Sequence, residues 1–195
     1  MKLLFINSCV REQSRTLQLC ETYMERFSDE WEIQEVNLQK ENLIPFTDQM
    51  LSKRNEDIEN LDYSDPGYQY AKDFAQADAV LVGAPYWDLS FPSSLKVYFE
   101  HICVNGITFG YTKAGLPAPM CRAKELIYIT TCGGYIGAQN SAVQYIENLC
   151  SMFGIEQTRI YSAEGLDIAE NNADQIMEET KEKLRQQHLF PDSDF

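Results

Sequence analysis

Residues 79–89 read AVLVGAPYWDL. Ala79 to Ala84 are apolar without interruption, and Pro85 stops the run. A strand with one wet face alternates apolar and polar residues. An unbroken apolar run marks a strand covered on both faces, as in a parallel sheet sandwiched by helices. Downstream, Ser90 and Pro92 supply a cap candidate and a first-turn proline. Leu95, Tyr98, Phe99 and Ile102 then share one helical face. Upstream, Tyr68, Ala71 and Phe74 predict a helix over 67–77.

The same alternation recurs in both directions. Residues 2–7 form a short apolar strand that ends at Ser8, and 31–38 a more polar one suited to a sheet edge. Residues 125–131, ELIYITT, are closed by Cys132-Gly133-Gly134, and 156–162 give a fifth strand. Helical spacing links Leu17, Cys20, Met24 and Phe27 after Ser14. It also links Ala142, Ile146, Cys150 and Phe153 before Gly154, and Ala173, Met177, Thr180 and Leu184 near the end. Residues 39–66, with Pro45 and Pro66, read as irregular, and 106–112 as an excursion with β character. The expectation is one α/β domain over 1–195: a doubly wound, five-stranded parallel sheet with helices on both faces. Five strands favour the flavodoxin-like order 2-1-3-4-5.

Composition narrows the function. The 195 residues carry 16 Lys and Arg against 30 Asp and Glu, a net charge of −14. That balance excludes nucleic acid and anionic membranes as partners. The apolar run at 3–6 is too short for a signal or membrane segment, so a cytoplasmic location is expected. Six scattered cysteines form no CxxC pair, and His101 and His188 are the only histidines. No metal site and no histidine-based triad is expected.

In such sheets, ligands bind beyond the carboxyl ends of the strands, where the strand order reverses. Here that brings together SCVREQSRT (8–16), PYWDLSF (85–91) and TCGGY (131–135). The first loop opens a helix at Ser14, Arg15 and Thr16, where free N–H groups and the helix dipole favour an anion. Arg11 and Arg15 can offset phosphate charge. The same residues also suit a capped helix with solvated arginines. Tyr86 and Trp87 suit a flat heteroaromatic ring or an aromatic packing corner. Gly133 and Gly134 let backbone approach a ring edge closely. Cys132 lacks a histidine to activate it and reads as no nucleophile, and His101 reads as a structural residue.

These loops resemble those of the FMN-dependent NAD(P)H:quinone oxidoreductase and azoreductase family. The resemblance is carried by GAPYWDLSFPSSLKVYFEHICVNGITFGYT (83–112), ITTCGGY (129–135) and FGI…YSAEGLD (153–167). It implies that Ser8, Ser14, Arg15 and Thr16 hold the FMN phosphate. Pro85, Tyr86, Trp87, Asp88 and Leu89 would flank the isoalloxazine, and Thr131, Cys132, Gly133, Gly134 and Tyr135 its other edge. Tyr111 would sit over the flavin and shape the substrate pocket. Family members are homodimers with flavin sites at the interface, so Met152 would reach a partner's site. Asp88 stands where the family often has Asn, the first loop is shorter, and Arg15 replaces a neutral residue.

The implied activity is ping-pong transfer of two electrons from NADH or NADPH, through flavin N5, to a quinone or azo acceptor. No side chain is assigned as the catalytic group. The alternative is a flavodoxin-type electron carrier, which an acidic surface suits when partners are basic. Arg15→Ala is expected to weaken FMN binding far more than removal of any other single surface charge.

Overall fold

The computed structural model describes residues 1–138 and 140–186; His188 and the tail from Phe190 lie outside them. In chain order the elements are β1 (Lys2–Asn7), α1 (Arg15–Met24), β2 (Glu32–Asn37), α2 (Asp48–Glu59) and α3 (Gln69–Gln76). β3 (Ala79–Gly83), α4 (Ser93–Ile102), β4 (Phe109–Tyr111) and β5 (Pro117–Pro119) follow. β6 (Glu125–Thr131), α5 (Ser141–Phe153), β7 (Gln157–Ala163) and α6 (Ala173–Gln186) complete the chain.

The five long strands pair in parallel in the order β2-β1-β3-β6-β7, which is 2-1-3-4-5 counted over those strands. Successive residues point to opposite faces. Leu4, Ile6, Val80, Val82, Leu126 and Tyr128 therefore meet α3, α4 and α5 in one core. Leu3, Phe5, Ala79, Leu81, Ile127 and Ile129 meet α1 and α6 in the other. Two cores explain why the inner strands β1, β3 and β6 carry unbroken apolar runs.

Two local expectations change and a third, the β character at 106–112, is sharpened. Residues 48–59 form a helix where an irregular segment was expected. No side chain of α2 is buried, so no apolar stripe announces it. Capping by Thr47, whose Oγ1 accepts from Met50 N at 3.3 Å, starts it instead. Arg54 fastens it to the end of α4 through the carbonyls of Glu100 (3.2 Å) and Cys103 (3.0 Å). Ser90 does not cap α4. The helix begins after Pro92 with no side-chain cap, and Ser90 instead bonds back to Trp87. The excursion at 106–112 becomes one arm of an antiparallel hairpin, β4 with β5.

Beyond the strand ends, single hydrogen bonds continue the sheet and carry the loops off together. Ser8 N donates to Gly83 O at 2.8 Å and Tyr86 N to Thr131 O at 2.9 Å. Cys132 N donates to Ala163 O at 2.9 Å. The loops after β1, β3, β6 and β7 thus leave the same edge side by side.

Candidate functional site

A cleft of about 620 Å³ opens at that edge. This is within the usual range for a small-molecule site. Its walls come from Val10, Arg11 and Gln13 to Thr16, from Pro85 to Trp87, from Thr131 to Gly133, and from Leu166 with Asp167.

The first wall is the start of α1. Ser14 is the N-cap: its Oγ accepts from Leu17 N at 3.2 Å, and its hydroxyl also lies within hydrogen-bond reach of the Cys9 thiol. Helix geometry leaves the N–H groups of Arg15 and Thr16 without intrahelical acceptors. Thr16 Oγ1 and Thr131 Oγ1 lie 2.7 Å apart, tying the first loop to the third. One of those hydroxyls keeps a free hydrogen.

The second wall is a tight turn. Trp87 and Ser90 exchange two backbone hydrogen bonds, at 2.9 and 2.8 Å. The two residues between them, Asp88 and Leu89, have φ of +48° and +66°. Two left-handed residues in a row define the hairpin turn that Asn-Gly usually fills. The turn holds Pro85, Tyr86 and Trp87 against the cleft and carries Asp88 and Leu89 out to solvent.

The third wall ends at Gly133. A Cβ there would lie 2.3 Å from Asp167 Oδ2, so the position must be glycine while that carboxylate stays. The loop after β7 is bound to this one by backbone bonds. Leu166 N reaches Cys132 O at 3.2 Å, Asp167 N reaches Gly133 O at 2.9 Å, and Gly165 N reaches Gly134 O at 2.6 Å. This fourth loop was missed in the sequence. The strand-order rule stops at the loop after β6, although Glu164 to Asp167 follow β7 in the same way. Val10 and Gln13 also line the cleft unforeseen.

Arg15, Ser14, Thr16, Pro85, Tyr86, Trp87, Thr131, Cys132 and Gly133 are thus brought together. Others are not. Ser8 is fully buried, its hydroxyl 3.1 Å from that of Ser94. Gly134 and Tyr135 are exposed beyond the rim, where the Tyr135 hydroxyl accepts from Asn171 at 3.3 Å. Tyr111 is 62% exposed on the β4–β5 hairpin and Met152 packs against the core under α5; neither lines the cleft.

The charges in the walls are two guanidiniums and one carboxylate. Arg11 makes no ion pair among the described residues, whereas Arg15 Nη1 contacts Asp167 Oδ1 at 2.9 Å and Leu166 O at 3.4 Å. A protein of charge −14 therefore turns a net positive surface into its cleft. Burial pushes the Cys132 thiol up despite a hydrogen bond with the Gly134 backbone, which keeps it protonated and a poor nucleophile. His101 is far from this chemistry: its Nε2 lies 2.9 Å from Ile44 O and its ring stacks on Phe46 at 4.4 Å. No metal-binding group of three side chains occurs among the described residues.

The family model described as "flavodoxin-like fold" matches residues 1–188. The chain belongs to this flavodoxin-like family. One relative is the FMN-dependent NADH:quinone oxidoreductase of Coprothermobacter proteolyticus. It is 31% identical over 199 residues, covering 95% of this chain and 98% of the relative. Among solved structures, an azoreductase from Bacillus anthracis str. Sterne superimposes with a TM-score of 0.82 at 24% identity, covering 95% of this chain and 97% of that one. An FMN-dependent NADH-azoreductase from Bacillus anthracis str. Ames Ancestor, solved in complex with FMN, gives a TM-score of 0.78 at 19% identity over 94% and 95%. At those identities the two structures speak to the flavodoxin-like fold alone.

Proposed function

We propose that the chain is an FMN-dependent NADH:quinone oxidoreductase of the cytoplasm, built as one domain and working as a homodimer, with azo compounds as a further acceptor class. The carrying observation is the net positive, hydroxyl-rich cleft at the strand-order reversal of an otherwise acidic chain. The relative named above, alike over nearly its whole length, supports the same reading.

The residues present fit FMN. A phosphate needs donors, and the start of α1 offers the N–H groups of Arg15 and Thr16, the Ser14 hydroxyl and the Thr16–Thr131 hydroxyl pair. Arg11 brings an unpaired positive charge. Tyr86 and Trp87 line the cleft with aromatic surface, which suits a flat ring system. Bound FMN would supply the two-electron hydride chemistry, which is the cofactor's own. The protein's part is to bind, orient and tune. The walls contain no histidine and no thiolate, so protons come from solvent. Donor and acceptor take turns on one open face, a ping-pong order. Exposed Tyr111, Leu116 and Met120, on and beside the β4–β5 hairpin, support a surface that pairs with a second copy.

The test is a spectrum. Purified protein should be yellow, bleach when NADH is added without oxygen, and regain colour with a quinone. Colourless protein that ignores added FMN would refute the reading. Steady NADH consumption with quinone and no partner protein separates the enzyme from an electron carrier.

A further inference from the structure

The Arg15–Asp167 pair spans the mouth of the cleft and joins residues 152 positions apart in sequence. Its two members are held differently. Asp167 is fixed: its N–H bonds Gly133 O, and its carboxylate rests where a Gly133 side chain would be. Arg15 is a long side chain, 44% exposed, that reaches the carboxylate with Nη1 alone. That is not the two-pronged fork in which guanidinium binds an anion best. A phosphate at the start of α1 would offer Arg15 more charge and more acceptor oxygens than one carboxylate does.

We propose that Asp167 is a resident anion of the cleft, competing with the cofactor phosphate for Arg15 and so setting how tightly the phosphate is held. The proposal rests on the FMN reading above. With Asp167 charged, only Arg11 is left unpaired in the walls; with it neutral, both guanidiniums serve the ligand. Exchange is cheap, because Asp167 is 70% exposed and returns to water when Arg15 leaves it. A phosphate-free flavin has no stake in this competition.

Asp167→Asn tests it with the affinities of FMN and riboflavin, read by flavin fluorescence at low and high salt. FMN should bind about two- to fivefold more tightly, the effect of one exposed charge near a phosphate. Riboflavin should not move, and the gain should shrink as salt screens it. Arg15→Ala should weaken FMN alone, and in that background Asp167→Asn should gain less. Unchanged or weaker FMN binding, an equal gain for riboflavin, or a gain undiminished without Arg15 would each overturn the proposal. If wild-type protein takes up no FMN, the FMN reading falls and this proposal with it. If it binds FMN and Asp167→Asn changes nothing, this proposal falls alone.

Discussion

β6 has an ion pair near each of its ends, and the two have little in common. At its amino end, Glu125 meets Arg159 of β7, with side-chain exposures of 3% and 24%. Tyr23, with Arg26 4.8 Å from its ring centre, packs beside them, and burial with the Glu125 charge pushes its hydroxyl up to about 12. Past its carboxyl end, Arg15 and Asp167 are 44% and 70% exposed. Similar chemistry thus serves two purposes. Buried charges cannot be exchanged without exposing a desolvated partner, so they fix structure. Wet charges can change partners at little cost, so they can serve a ligand.

The largest expected effect comes from breaking the buried pair. Glu125→Ala strands the positive side of the cluster in a poorly solvated place. It should lower stability by about 2–4 kcal/mol, near the usual loss for one partner of a buried pair. Denaturant unfolding would show it as a lower midpoint, while the folded fraction keeps its flavin affinity. Asp167→Asn should do the reverse, moving stability by less than about 0.5 kcal/mol while changing affinity. If both substitutions moved stability alike, the distinction between the two ends would be lost.

A smaller effect is expected at the strained turn on the ligand side. Leu89 holds φ of +66° with its side chain 72% exposed, so no packing offsets the left-handed backbone. Leu89→Gly removes a cost of about 1–2 kcal/mol and adds about 0.5–1 kcal/mol of chain entropy. The net should be a gain of about 0.5–1 kcal/mol, read as a higher denaturant midpoint at unchanged slope. A loss of stability would refute the strain account. A gain in stability with slower NADH turnover would mean that strain is kept for function, the usual place for it.

How much of this was readable in sequence follows the burial pattern. β1, β3 and β6 announced themselves because two cores demand unbroken apolar strands, and most helices did so through their stripes, while β2 and β7 at the sheet edges are more polar. α2 did not, since a helix with no buried residue has no stripe, and its tie through Arg54 depends on a distant helix end; only its Thr47 cap is local. In the site, the first three loops were nominated by one topological rule. Asp167 was not, because its importance comes from contacts with Arg15 and Gly133 that only the folded chain creates. Ser8 shows the converse: a hydroxyl well placed in sequence is turned into the protein, toward Ser94. A strand's sequence tells which faces are covered, but not which way the residue after its last one turns.

The smallest effect is one of pH, and it gives the two kinds of carboxylate opposite signs. Burial raises the Glu125 carboxyl above the ordinary glutamate value, with Arg159 and Arg26 pulling against it. The folded chain then keeps a proton that the unfolded chain has released. Stability rises with pH only where the unfolded state binds more protons, so Glu125's contribution must fall as pH climbs through the window above the ordinary value. Asp57 is the mirror case: its hydrogen bonds from Lys53 and Tyr68 lower it, so its contribution is lost as pH falls through its depressed value. Other carboxylates titrate nearby, so the readout is a difference. Unfolding free energies of wild type and Glu125→Gln, taken from about pH 4 to pH 7, should diverge in one direction, wild type losing ground as pH rises. Parallel curves would mean that pairing with Arg159 fully offsets burial. The amino-end pair would then be no more costly to charge than the wet pair at the cleft, and burial would no longer be what separates them.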